Sequence, residues 1–138
     1  MNHLDRDSVE IIPPGVLAYI GDAVYELYVR ENLVREGLEG ERLDLDELHQ
    51  DAILRVCATA QAHALADLES LLLSDEADVA RRARNAKVGR GPRNMPVLDY
   101  RHSTGFEAVM GYLYLLGRTT RLEELMSKAL SLIDAEYQ

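Results

Sequence analysis

The sequence has a single cysteine, Cys57, so no intrachain disulfide can form and a reducing compartment suits it. Proline is scarce, with four residues, and no stretch sustains the apolar–polar alternation of a half-buried strand. The longest apolar run, Ala108 to Leu116, falls far short of the roughly 20 residues a membrane span needs. The opening MNHLDRDSVE carries acids and no apolar core, unlike a secretory signal, so a cytoplasmic protein is expected. Zinc chemistry lacks ligands at useful spacing, since Cys57 is alone and His3, His49, His63 and His102 are dispersed. No glycine-rich phosphate loop opens a helix after a strand, and no nucleophile elbow is present. Ser103 lies near His102, but sequence neighbours do not make a triad.

What is present is a chain of 138 residues, 47% hydrophobic, which suits one domain over 1–138 with a real core. Its net charge of −9 argues, taken alone, against nucleic-acid binding. The distribution argues otherwise. Residues 81–102 hold Arg81, Arg82, Arg84, Lys87, Arg90, Arg93 and Arg101 against one acid, Asp99, a local net of +6. A basic segment on an acidic body reads either as an anion-binding surface or as a solvated charged loop.

The periodicity predicts an all-α bundle of about five to seven helices. One helix follows Pro13 and Pro14 and runs from about Gly15 to Glu36, with Gly37 as its stop. A second stretch, Asp44 to Leu73, is long enough to break in two near Thr59. Ser74 reads as the N-cap of a helix that ends in Arg81, Arg82 and Arg84. Residues 88–100 read as a loop, Ser103 or Thr104 as the cap of a helix ending near Gly117, and Arg121 to Ala135 as a last amphipathic helix.

Two of these helices hold carboxylates where apolar residues are expected. In the first, Val16, Leu17, Ile20, Val24 and Leu27 form an apolar face, yet the side around Asp22 carries Ala18, Tyr19, Tyr25 and Val29. Asp22 and Glu26, spaced i, i+4, are its only charges from Val16 to Val29. Glu107 is the only charge in the helix from Ser103 to Gly117. A buried carboxylate costs several kcal/mol unless it is paired or binds a metal. The pattern divides between ion pairs, to Arg30 or Arg101, and a site for a hard cation such as Mg²⁺ or Mn²⁺. Gly21 and Gly111 adjoin the two acids and would let helices approach closely.

These segments carry a resemblance. LAYIGDAVYE at 17–26 resembles the signature helix of ribonuclease III nuclease domains, and STGFEAVMGYLYL at 103–115 resembles their second carboxylate helix. RNAK at 84–87 and YRHST at 100–104 are similar to the small Mini-III branch of that family. The resemblance implies a homodimeric, Mg²⁺-dependent endonuclease that hydrolyses double-stranded RNA, with maturation of large-subunit (23S) ribosomal RNA as its cellular task. It implies that Asp22 and Glu107 are catalytic and hold the metal. Asn85 and Lys87 would face RNA, with Arg81, Arg84, Arg90, Arg93 and Arg101 on flanking phosphates and Ser103 and Thr104 at the backbone. Full-length enzymes of the family carry two further carboxylates, at positions filled here by Ala18 and Thr104, and Glu26 is a candidate outer-shell substitute. A non-catalytic RNA-binding relative and a helical dimerisation module with structural ion pairs are the competing readings. Tyr19, away from the main apolar stripe, is the residue expected at a two-fold subunit contact.

Overall fold

The computed structural model describes residues 2–86 and 93–136. Among them it contains seven α-helices and no strand: α1 (Arg6–Glu10), α2 (Pro14–Glu39), α3 (Leu45–Val56), α4 (Ala58–Leu68), α5 (Ser74–Asn85), α6 (Val97–Leu115) and α7 (Thr119–Glu136), with a 3-10 turn at Glu69–Leu71. No helix in the described residues is long and apolar enough to cross a membrane. The expected all-α bundle is the observed architecture.

The centre of the bundle is α6. Ser103–Ala108 supplies five buried residues around Glu107, and Val109 to Leu113 are all buried. α2 packs along it most extensively, α5 and α4 cover further faces, and α7 closes the bundle against α4 and α6. Tyr25 of α2 meets Phe106 of α6 edge to face, with ring centroids 4.8 Å apart.

Local chemistry sets the boundaries, and several differ from expectation. Pro14 occupies the first turn of α2, where its missing N–H is no loss. α2 does not stop at Gly37 but runs on to Glu39. Gly37 serves a different purpose: the returning chain passes so closely that Arg42 N–H donates to its carbonyl at 2.7 Å, and a Cβ there would overlap the Arg42 oxygen. The second stretch breaks at Cys57, whose extended backbone separates α3 from α4, two residues before the expected Thr59.

Ser74 is the first residue of α5 and not its cap. The Leu73 N–H instead donates to Glu76 Oε1 at 2.9 Å. α6 begins at Val97, inside the expected loop, so Ser103 and Thr104 are interior helical residues. Their hydroxyls donate back to the Tyr100 carbonyl at 2.8 and 3.0 Å, which satisfies them without a cap. Gly117, at φ +73, ends α6 in a Schellman turn: Arg118 N–H donates to Leu113 O and Gly117 N–H to Tyr114 O.

The largest correction concerns which face of α2 is inside. The buried stripe is Leu17, Ala18, Gly21, Tyr25, Val29 and Leu33. Of the expected face only Leu17 is buried; Val16 and Leu27 are 48% and 65% exposed, and Ile20 and Val24 are half-buried. Summed hydropathy favours the side with the largest aliphatic residues. Close packing favours the side where Ala18 and Gly21 let another backbone approach.

Candidate active site

The site lies where α2 crosses α6. A Cβ added to Gly21 would overlap the Glu107 carbonyl oxygen, and one added to Gly111 would overlap the Leu17 carbonyl oxygen. The helices therefore touch through backbone, and this contact sets Asp22 and Glu107 side by side. The Glu107 carboxyl is pushed up to about 9, first by burial, then by the like charge of Asp22 and by the hydrogen bond between the two groups. A proton is thus held at this pair well above the usual carboxylate range.

No base neutralises the pair among the described residues. Arg30 is taken by Glu26, with Nη2 2.6 Å from Oε1, and Arg101 is exposed without an acid partner. Among the described residues the two acids therefore form no structural ion pair. Glu26 lies one turn along α2 from Asp22, bound to Arg30. No cluster of three or more acid, histidine or cysteine side chains occurs among the described residues, so the donor set is two carboxylates. Ala18 and Thr104, where the resemblance implied two further acids in larger enzymes, are both buried.

The basic residues fall into three groups. Arg81 and Arg82 share Asp78, at 2.6 and 3.0 Å, and Arg84 pairs with Glu69 at 2.8 Å while packing its stem near Gly105. Arg93 and Arg101 are exposed and carry no ion pair among the described residues, and the neutral Asn85 is exposed too. Lys87 and Arg90 lie outside the described residues. Ser103 and Thr104 are 2% and 7% exposed and spend their hydroxyls on Tyr100, so the free surface of this chain offers neither to a ligand.

Sequence reasoning missed the partners that distant segments bring to α5. Arg6, Arg118 and Arg121 line the same open cleft as Arg81, Arg82 and Arg84. Arg118 bonds Asp75 at 2.7 Å and lies over the Tyr112 ring, and Arg121 grips the fully buried Glu76 through two nitrogens. No local signal links residue 6 or residues 118–121 to residue 81. The histidines carry no such cluster: His63 faces Glu136 at 3.6 Å, His49 is exposed and His102 half-buried.

On α2 an apolar stripe stays outside the fold. Val16, Leu27, Val34 and Leu38 are exposed, and Tyr19 at 77% exposure flanks them. At 100° per residue the stripe lies about 120–160° round the helix from Asp22, and Tyr19 stands between the two.

The family profile described as Ribonuclease III domain matches residues 15–118, a span that includes both carboxylate helices. Mini-ribonuclease 3 of Symbiobacterium thermophilum is 45% identical over 123 residues, covering 89% of this chain and 92% of its own. That of Brevibacillus brevis is 42% identical over 133 residues and 96% of each chain, and that of Staphylococcus aureus 35% identical over 136 residues, 97% and 98%. A crystal structure of a protein from Fusobacterium nucleatum matches the fold with a TM-score of 0.77 at 25% identity, over 91% of this chain and 95% of that one. With a profile through both acids and relatives matched over nearly their whole length, the chain belongs to the ribonuclease III family of RNA-cleaving nucleases, on its Mini-III branch.

Proposed function

We propose that this chain is a divalent-cation-dependent endonuclease of double-stranded RNA, with Asp22 and Glu107 as its catalytic residues. The observation that carries the reading is two acids from different helices, set face to face with no base beside them among the described residues. Of the two acids expected to be buried, Asp22 is exposed and only Glu107 is half-buried, so the cost of burial falls on Glu107; two carboxylates so placed suit a hard cation. Mg²⁺, or Mn²⁺ in its place, is commonly held by one or two carboxylates together with substrate phosphate oxygens and water. Two carboxylates meet that requirement, with Glu26 available as an outer-shell partner if it leaves Arg30.

When bound, the cation supplies Lewis acidity for the scissile phosphate and for the attacking water. The chain's own residues do the rest. Glu107 gives up its proton on binding, so that both acids present oxygens. The α2–α6 contact holds them at one spacing. Water adds to phosphorus as the bond to the leaving ribose oxygen breaks, with the water's proton passing to solvent and the leaving oxygen taking one up from it. Arg93 and Arg101, with Arg81, Arg84, Lys87 and Arg90, neutralise flanking phosphates, Asn85 hydrogen-bonds to the RNA, and recognition of A-form RNA rests on shape and 2′-hydroxyls.

A duplex is cut on both strands by two equivalent sites related by a two-fold axis. The exposed apolar stripe of α2 supports a homodimer through that face, with Tyr19 at its edge toward Asp22. The kinship with Mini-III relatives supports precursor large-subunit (23S) ribosomal RNA as the cytoplasmic substrate; accumulation of unprocessed precursor ends after gene deletion would test it. A non-catalytic RNA-binding role is the alternative, favoured by the small donor set. Titrating Mg²⁺ against labelled duplex RNA decides. Cleavage that Asp22→Asn and Glu107→Gln abolish supports the enzyme; binding without cleavage overturns it.

A further inference from the structure

Where α2 and α6 cross, each helix presents only backbone to the other. A Cβ on Gly21 would overlap the Glu107 carbonyl oxygen and stand 2.8 Å from the Gly111 nitrogen. A Cβ on Gly111 would overlap the Leu17 carbonyl oxygen and stand 3.0 Å from the Gly21 nitrogen. The two contacts are reciprocal. In an α-helix the Gly21 N–H points at the Leu17 carbonyl and the Gly111 N–H at the Glu107 carbonyl. Each of those carbonyls is also the group that the opposite glycine touches. Leu17, Gly21, Glu107 and Gly111 thus close a square of backbone, in which Glu107 is a corner and Asp22 follows a corner.

We infer that the reciprocal Gly21–Gly111 crossing is the positioning device of the acid pair, setting the separation of the Asp22 and Glu107 carboxylates and thereby the affinity for a divalent cation. The inference rests on the reading of that pair as the active site. Both side chains leave from backbone in direct contact, so any parting of the helices passes straight into the carboxylate separation. Packing alone would accept small residues anywhere along the interface, and α2 uses Ala18 there. The other glycine of α6 shows the difference. Gly105 meets the flexible Arg84 stem at 3.0 Å, the Ala80 carbonyl at 3.1 Å and a Leu65 methyl at 3.2 Å, all looser than the overlaps at Gly21 and Gly111. Gly21 and Gly111 meet carbonyls, which cannot yield without moving a helix. Glycine inside a helix is intrinsically unfavourable, and here two of them fall on the turns that carry the acids.

The test uses the full chain as Gly111→Ala, Asp22→Glu and their double variant, with Asp22→Asn and Glu107→Gln as controls. Helix content is followed by circular dichroism, Mn²⁺ binding by calorimetry, and cleavage with labelled duplex RNA. Gly111→Ala should keep its helices but bind Mn²⁺ about tenfold more weakly, the scale seen when support around metal ligands is lost. The metal needed for half-maximal cleavage should rise in step, with a smaller fall in rate at saturation. Asp22→Glu alone should also weaken Mn²⁺ binding. Added to Gly111→Ala it should recover part of the loss, because one more methylene spans the widened gap. A purely structural glycine would lower the melting temperature without such recovery. Wild-type Mn²⁺ affinity in folded Gly111→Ala, or losses that only add, would overturn the inference. If Gly111→Ala unfolds, binding is measured in trimethylamine N-oxide, which strengthens burial; failure to fold there also overturns it. Controls that still bind Mn²⁺ and cut would instead remove the active-site reading itself.

Discussion

Glu107 is half-buried against Asp22, and its burial, followed by the like charge of Asp22, keeps a proton on it up to about pH 9. An acid with a raised pKa in the folded state favours folding at low pH. Below its unfolded value, about 4.5, it is protonated in both states and carries no penalty. As pH rises toward 9 the unfolded chain releases its proton and the folded chain resists, so stability falls through that window. Metal-free protein should lose stability over it with a slope of up to about 1.4 kcal/mol per pH unit from this group. Glu107→Gln should remove that part of the slope in urea titrations at several pH values. Mg²⁺ should stabilise the wild type more at pH 8.5 than at pH 5.5; equal stabilisation would contradict a cation held by this pair.

Arg121 and Glu76 should dominate the mutational cost outside the site. Glu76 is fully buried and accepts from two Arg121 nitrogens at 2.8 and 2.9 Å, tying α7 to α5. Arg121→Met should cost about 3–5 kcal/mol, because it strands a buried charge. Removing both partners, as Arg121→Met with Glu76→Leu, should cost less than the single change. Chemical denaturation of the three proteins checks the order.

The Tyr25 hydroxyl is buried with no protein partner among the described residues, while its ring packs on Phe106. Burial raises its pKa, so it stays neutral. Tyr25→Phe should leave stability unchanged or raise it by about 1 kcal/mol, since the ring contact survives and an unsatisfied hydroxyl is removed. A fall in melting temperature would show that the hydroxyl is bonded in solution.

RNA grip should separate the free arginines from the paired ones. Replacing Arg93 and Arg101 by Ala should flatten the log–log salt dependence of duplex binding by roughly one per lost phosphate contact. Arg81→Ala should change it less, because Asp78 already holds that guanidinium. Equal slopes for all three would place the RNA on another face.

Assembly should depend on the outer stripe of α2. Tyr19→Asp and Leu27→Asp each put a charge on an exposed apolar face, and both should yield monomers by light scattering and lose two-strand cleavage together. Wild-type protein that stays monomeric at tens of micromolar, a rough scale for a stable interface, would remove the two-site mechanism.

What the sequence determined by itself was the class of fold and the two acids. Helical periodicity with no strand alternation leaves only a helical bundle, and a lone acid in an apolar helix stands out whatever packs around it, as at Asp22 and Glu107. The sequence could not show which side of α2 faces inward, because that side is chosen by the shape of α6 and not by hydropathy; Tyr25 and Val29 became core while Val16 and Leu27 stayed outside. Nor could it show that α6 starts at Val97, since the back-bonds of Ser103 and Thr104 make those residues at home within a helix where their type suggests a cap. Only tertiary structure joined Arg121 to Glu76, and only the backbone contact at Gly21 and Gly111 turned two acids 85 positions apart into one proton-sharing pair.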